Sequence, residues 1–241
     1  MKYNLKRRRS ALAIFLIVFF LIAMNILKIS AISYENNDTD ADIYHKKDNA
    51  YKKIALTFDD GPHPRYTPQI LEILSKYNIK ATFFTVGVNA KNYPDTLEKV
   101  ISAGHEVENH TYTHPHVNSV DFATLKREIE CCESEIYEHT DYKTKFFRPP
   151  EGMIDDEIIE MIKSLDYKIV LWDIDTRDWA HTPPQKIAEN IIDNINSGDI
   201  ILMHDYIGHN SPTPEALKIF LPILIDRGYN FVTVSELIGL N

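Results

Sequence analysis

Seven short apolar runs alternating with six amphipathic ones, from Tyr51 onward, constrain the fold of this chain more than any other property. The apolar runs lie near 53–58, 81–86, 105–109, 145–148, 168–173, 199–203 and 230–234, and read as buried strands. Helical periodicity occupies the intervals near 67–77, 92–103, 121–138, 155–165, 184–197 and 213–227. Helix starts carry capping residues or a first-turn proline, as at Thr67-Pro68, Pro94-Asp95, Asp155-Asp156, Pro183-Pro184 and Thr213-Pro214. Strand–helix alternation of this kind argues for an α/β fold with a mostly parallel sheet. An open doubly wound sheet and a (β/α) barrel both fit that alternation. The polar residues choose between them. Asp59-Asp60, His110, Arg148, Asp175 and His204 all fall at or just past the C-terminal ends of different strands. A barrel gathers such ends on one face, where active sites form. The expected fold is therefore α/β, a distorted or incomplete (β/α) barrel with about seven parallel strands, preceded by one N-terminal hydrophobic helix.

That helix is read from the uncharged run Ala11 to Leu27, which follows Lys2, Lys6, Arg7, Arg8 and Arg9. Such a run is roughly 25 Å long as a helix, slightly short of a ~30 Å hydrocarbon core, and Lys28 can snorkel. The basic N-terminal flank places that end in the cytoplasm and the rest outside. Ala31-Ile32-Ser33 also offers a signal-cleavage site. Residues 1–33 are thus a basic stub with either a membrane anchor or a signal peptide. A single-pass cell-membrane protein with its folded domain outside, or a secreted one, is expected. Residues 34–50 are polar and read as a linker; residues 51–241 form the folded domain.

The first 28 residues hold six basic side chains and no acidic ones, which leaves 20 basic against 35 acidic in the remainder, a net of −15. A domain that acidic is a poor match for nucleic acid or an anionic lipid surface. No nucleic-acid or protein partner is expected. Cys131 and Cys132 are adjacent, and vicinal cysteines rarely form a relaxed disulfide with each other.

Chemistry is concentrated in five clusters. Thr57-Phe58-Asp59-Asp60-Gly61-Pro62 places two carboxylates side by side at a strand end, where they repel unless a cation or a proton intervenes. His110-Thr111-Tyr112-Thr113-His114 carries two histidines at i, i+4, which share one face if the segment is helical. An Asp, His, His set leaves a coordination position open, the layout of a catalytic zinc site, and the other Asp is free to act as a base. Arg148-Pro149-Pro150-Glu151-Gly152, Trp172-Asp173-Ile174-Asp175-Thr176-Arg177-Asp178-Trp179 and Ile201-Leu202-Met203-His204-Asp205 close the next three strands.

Taken in order, these clusters resemble the five motifs of the polysaccharide deacetylase family, also called the NodB-homology domain or family 4 carbohydrate esterases. The match covers about residues 51–240. The resemblance implies a distorted (β/α) barrel and metal-dependent removal of acetyl groups from sugars. It makes Asp59 the general base, Asp60, His110 and His114 the metal ligands, and His204 the general acid. Arg148 would orient the base and Asp178 would tune the acid histidine. Pro149, Glu151, Trp179 and Leu202 are the expected substrate-facing residues, with Trp179 and Leu202 bordering the acetyl-methyl pocket. One departure stands out: the family often has Tyr before the motif glycine, and here it is Glu151. The role usually placed there, a backbone N–H donated to the oxyanion, survives a side-chain change.

The expected function is N-deacetylation of amino sugars in a cell-wall polysaccharide, with peptidoglycan N-acetylglucosamine leading. O-acetyl esterase activity on xylan or another glycan, chitin-oligosaccharide deacetylation, and a catalytically silent wall-binding protein are the alternatives. A zinc-type cation lowers the pKa of bound water to about 7 and polarises a carbonyl. Zn2+ is the expected metal, while Co2+, Mn2+ and Ni2+ suit the same ligands.

Overall fold

The computed structural model describes residues 43–240. Nine strands, all paired in parallel, form one sheet. They are β1 (Ile43–Tyr44), β2 (Lys53–Asp59), β3 (Thr82–Thr85), β4 (Glu106–Asn109), β5 (Phe146–Phe147), β6 (Lys168–Val170), β7 (Ile174–Asp175), β8 (Ile200–His204) and β9 (Asn230–Val232). The path runs β1-β6-β5-β4-β3-β2-β8-β7. Ala55 is in register with Ile200 of β8 and also with Val232 of β9. Strand β9 therefore lies on the edge of β2 opposite β8, beside the half of β2 that β3 does not reach. The path has two ends, and the sheet is a curled, open half-barrel.

The helices are α1 (Tyr66–Lys76), α2 (Gly87–Asn92), α3 (Pro94–Ser102), α4 (Phe122–Thr140), α5 (Asp156–Ser164), α6 (Pro184–Asn194), α7 (Thr213–Asp226) and α8 (Val234–Ile238). The helix expected near 92–103 is α3; α2, just before it, was not anticipated, and the two are separated at Tyr93, because the residue before a proline is driven out of the helical region. Asp121 and Asp155 cap α4 and α5, each accepting a backbone N–H at 2.8 Å, from Thr124 and Ile158.

Strand β2 shows how the sheet positions chemistry. Its side chains alternate between two environments. Ile54, Leu56 and Phe58 join the helix-side core with Ile70, Leu217 and Phe220. Ala55 joins a second cluster with Phe84, Phe146, Val170, Ile200 and Val232, which fills the concave side. Thr57 and Asp59 share the face of Ala55, so Asp59 ends up at the C-terminal mouth of the half-barrel.

Two strands were not anticipated. Strand β1 lies in the stretch expected to be a linker, and pairs Ile43 with Ile169 and Tyr44 with Val170. Strand β7 carries Asp175. The expected anchor or signal peptide falls outside the described residues. Among the described residues, no helix is long and apolar enough to cross a membrane.

Candidate active site

Asp59 is 3% exposed, and the chain turns sharply after it. Asp60 has φ 74°, and its carbonyl accepts the Asn89 side-chain N–H at 2.7 Å. Gly61 follows because nothing larger fits: a Cβ there would stand 2.2 Å from the Asp205 carboxylate.

His110 follows β4. The His-Thr-x-x-His segment is an irregular turn and not a helix, so the two histidines converge by another route than a shared helix face. Thr111 at φ 66° and His114 at φ 55° fold it back. Left-handed backbone at a β-branched residue is costly and persists where surroundings over-determine it. Here the Thr111 N–H donates to Asn109 Oδ1 at 3.0 Å, and the His114 N–H donates to Thr111 Oγ1 at 3.1 Å.

The ligand atoms of Asp60, His110 and His114 all lie within 4.8 Å of one another. His110 Nδ1 is 2.7 Å from the Arg148 carbonyl oxygen, which can only accept, so Nδ1 carries the proton. In the neutral ring Nε2 then presents a lone pair, 3.4 Å from Asp60 Oδ1. His114 Nε2 stands 3.3 Å from the same oxygen. That oxygen is buried and has no hydrogen-bond partner. Burial and the neighbouring His110 push the His114 imidazole toward its neutral form. Burial raises the Asp60 carboxyl, yet His110, His204 and His114 together bring it below its ordinary value. Lone pairs converging on an unsatisfied carboxylate oxygen fit a cation. Atoms about 2.1 Å from a tetrahedral centre stand about 3.4 Å apart, the separations found here. The donor set therefore suits a divalent metal.

Arg148 is completely buried and reaches Asp59 Oδ1 at 2.6 Å. It also donates to Thr57 Oγ1 at 2.8 Å, to the Val170 carbonyl at 3.0 Å and to the Leu171 carbonyl at 2.9 Å. Its guanidinium carbon lies 4.0 Å from the Phe84 ring centroid. Burial opposes the guanidinium charge and Asp59 supports it. A buried charge satisfied on this many sides is rigid, and it holds Asp59 in one orientation.

His204 is the register partner of Asp59 on β8. Its Nδ1 lies 2.8 Å from Asp178 Oδ1, and its backbone N–H donates to Asp178 Oδ2 at 2.8 Å. Thr213 Oγ1 donates to the same Oδ2 at 2.6 Å and the Trp179 N–H to Oδ1 at 2.9 Å. Burial pushes the His204 imidazole down, but Asp178, Asp60 and Asp59 outweigh it and lift the pKa to about 9. His204 is thus charged with a proton near neutral pH.

A cleft of about 400 Å³ is lined by Asp59, Asp60, His110, His114 and His204, with Glu151, Trp179 and Leu202 as expected substrate-facing residues. Trp172 and Asp175 line it too; both belong to the cluster that runs from Trp172 to Trp179, where neither had been given a role. Arg148 and Asp178 lie behind this surface, in contact with Asp59 and His204. Pro149 is buried off the cleft, and its carbonyl accepts the Gly152 N–H at 3.0 Å. Glu151, at φ 59°, extends over the rim to His116, with Oε1 2.7 Å from Nδ1. At Gly152, φ 68°, an added Cβ would meet Trp172 at 2.7 Å. Thr57 and Thr213 were also overlooked. The period-2 pattern that puts Thr57 on the face of Asp59 was available; nothing in the sequence ties Thr213 to Asp178.

Residues 46–170 match the family model for polysaccharide deacetylases. A peptidoglycan-N-acetylglucosamine deacetylase of Bacillus cereus is 40% identical over 192 residues, which cover 79% of this chain and 90% of that protein. The peptidoglycan-N-acetylmuramic acid deacetylase PdaC of Bacillus subtilis is 36% identical, over 77% of this chain and 38% of its own length. The crystal structure of the Bc1960 peptidoglycan N-acetylglucosamine deacetylase superposes with a TM-score of 0.79 at 32% identity, covering 83% of this chain and 93% of that one. With the family model spanning over half the chain and the five clusters converging on one cleft, the chain belongs to the polysaccharide deacetylase family.

Proposed function

We propose that this enzyme removes N-acetyl groups from cell-wall peptidoglycan, chiefly at N-acetylglucosamine, outside the cytoplasmic membrane. The relatives with this activity support the polymer, and the basic, apolar N-terminus supports export by an anchor or a cleaved signal. Asp60, His110 and His114 would hold a divalent cation, with zinc first and cobalt, manganese or nickel as substitutes. Such a cation supplies Lewis acidity, polarising the acetyl carbonyl and acidifying water.

The chain's own residues do the remaining work. Asp59, fixed by Arg148, accepts a proton from the attacking water. Amide cleavage must release an amine, a poor leaving group unless protonated. His204 carries that proton at neutral pH and faces the cleft, and Asp178 stabilises the imidazolium. Leu202, Trp172 and Trp179 give the acetyl methyl an apolar wall. Products are acetate and a free amino sugar.

The observation that carries this reading is the placement of a clamped carboxylate and a protonated imidazole on adjacent strands, beside three lone-pair donors converging on one point. The test is acetate release by the full chain, stripped of metal and then reloaded with zinc, from N-acetylglucosamine oligomers, muropeptides and acetylated xylan in parallel. Zinc-dependent release from the amino-sugar substrates is the expected result. Release from xylan alone would reassign the enzyme as an O-acetyl esterase. No release from any substrate, with zinc bound, would reject the reading.

A further inference from the structure

Asp60 and His114 also border a second groove, of about 380 Å³, whose remaining walls are Val86, Val88, Asn89, Thr113 and Tyr206. It is continuous with the catalytic cleft, since the two share those metal-ligand candidates. Its chemistry is distinct. Apart from the shared Asp60 and His114, its walls are uncharged, part aliphatic and part amide or hydroxyl.

Tyr206 is half-buried and rests on an aromatic stack. Its ring centroid lies 5.0 Å from that of His63, tilted by 56°. His63 in turn stacks on Tyr66 at 4.8 Å and 29°. His63 is locked in place, because its Nδ1 accepts the backbone N–H groups of Arg65 at 3.1 Å and Tyr66 at 3.2 Å. Tyr66 is buried, and its hydroxyl accepts the Asn210 N–H at 2.7 Å. The Tyr206 ring is thus braced from behind. A braced aromatic face beside mixed apolar and hydrogen-bonding walls suits a flat, neutral ring with C–H faces and hydroxyl edges, which describes a pyranose. The other cleft holds Trp179, 48% exposed, so aromatic surface is available on both sides of the metal-ligand cluster.

We propose that Tyr206, braced by His63, is a stacking subsite for the sugar next to the one being deacetylated, so that the enzyme reads an internal position of a glycan chain. This rests on the glycan reading given above. The test compares the full-length wild type with Tyr206→Ala and Tyr206→Trp on reducing-end-labelled N-acetylglucosamine pentamer, mapping the deacetylated position by mass spectrometry. An aryl acetate ester serves as a substrate with no second ring. Tyr206→Ala should raise KM for the pentamer about tenfold, with kcat much less affected, as loss of one stacking contact implies. It should also shift the preferred position along the chain, and Tyr206→Trp should restore both. Val88→Arg, which obstructs the groove from its aliphatic wall, should reproduce the shift if Tyr206→Ala fails to fold. Equal losses on ester and pentamer, or an unchanged position, would overturn the subsite while leaving the substrate class standing. A wild type that neither binds the pentamer nor releases acetate from it would overturn both.

Discussion

Asp59 and Asp60 are chemically identical neighbours set in very different surroundings. Asp59 is clamped by a guanidinium that has nowhere else to go, whereas Asp60 turns outward and leaves one oxygen without a partner. Their substitutions should therefore separate cleanly from each other. Asp59→Asn should retain stoichiometric metal, read by elemental analysis, while losing about two to four decades of turnover. His110→Ala should lose the metal itself, and activity with it; full metal content with normal turnover would remove His110 from the ligand set. His204 makes a pH prediction. Its acid form exists below its pKa of about 9 and is lost as pH rises through that value, so the rate should fall on the alkaline side. A cation at Asp60 offsets part of that carboxylate's field, so the limb sits at or below that pH. Asp178→Asn removes the strongest influence holding the proton and leaves burial, which acts the other way. The alkaline limb of kcat should then move to lower pH by about one pH unit or more.

At the level of elements, what was legible followed from pattern length. Runs such as Ile54-Ala55-Leu56-Thr57-Phe58 are long and apolar enough to show as strands, and the residues just past them were correctly gathered at one mouth. Strands β1 and β7 are two residues each, too short for any period to register. Strand β1 also lies among Asp42, Lys46, Lys47 and Asp48, whose polarity masked Ile43 and Tyr44. The His-Thr-x-x-His spacing signalled two converging imidazoles, but it did not say what backbone would bring them together. Spacing fixes which residues can meet, and the left-handed turns at Thr111 and His114 achieve the meeting another way. Pro149 is buried and does not line the cleft, while its carbonyl holds the Gly152 N–H; spacing within a motif does not say whether a residue serves through its side chain or its backbone. Strand β1 yields a stability prediction. A chain starting at Tyr51 loses the partner of Ile169 and Val170 and the packing of Ile43 and Tyr44. Two partly buried side chains correspond to about 2 kcal/mol, so thermal denaturation should show Tm lower by about 5 °C than for a chain starting at residue 43. An unchanged Tm would make β1 an ornament of the sheet edge.

Over the whole molecule, acidity and architecture have separate consequences. The net −15 beyond the N-terminal segment keeps the domain off anionic surfaces and suits a neutral polymer whose product becomes cationic as amines are unmasked. The architecture bears on when the site exists at all. Strand β2 carries Asp59 at its end, leads directly into Asp60, and is hydrogen-bonded on both edges, to β8 on one side and to β3 and β9 on the other. Local opening frees backbone that is weakly tied, and β2 is the opposite case. The amides of Leu56 to Phe58 should therefore exchange with deuterium only through global unfolding, and be among the last to do so. Loss of catalysis and loss of the folded signal should then coincide along a urea titration. A site mounted on such a strand should remain assembled for as long as the protein is a protein, so that its activity reports the folded fraction directly.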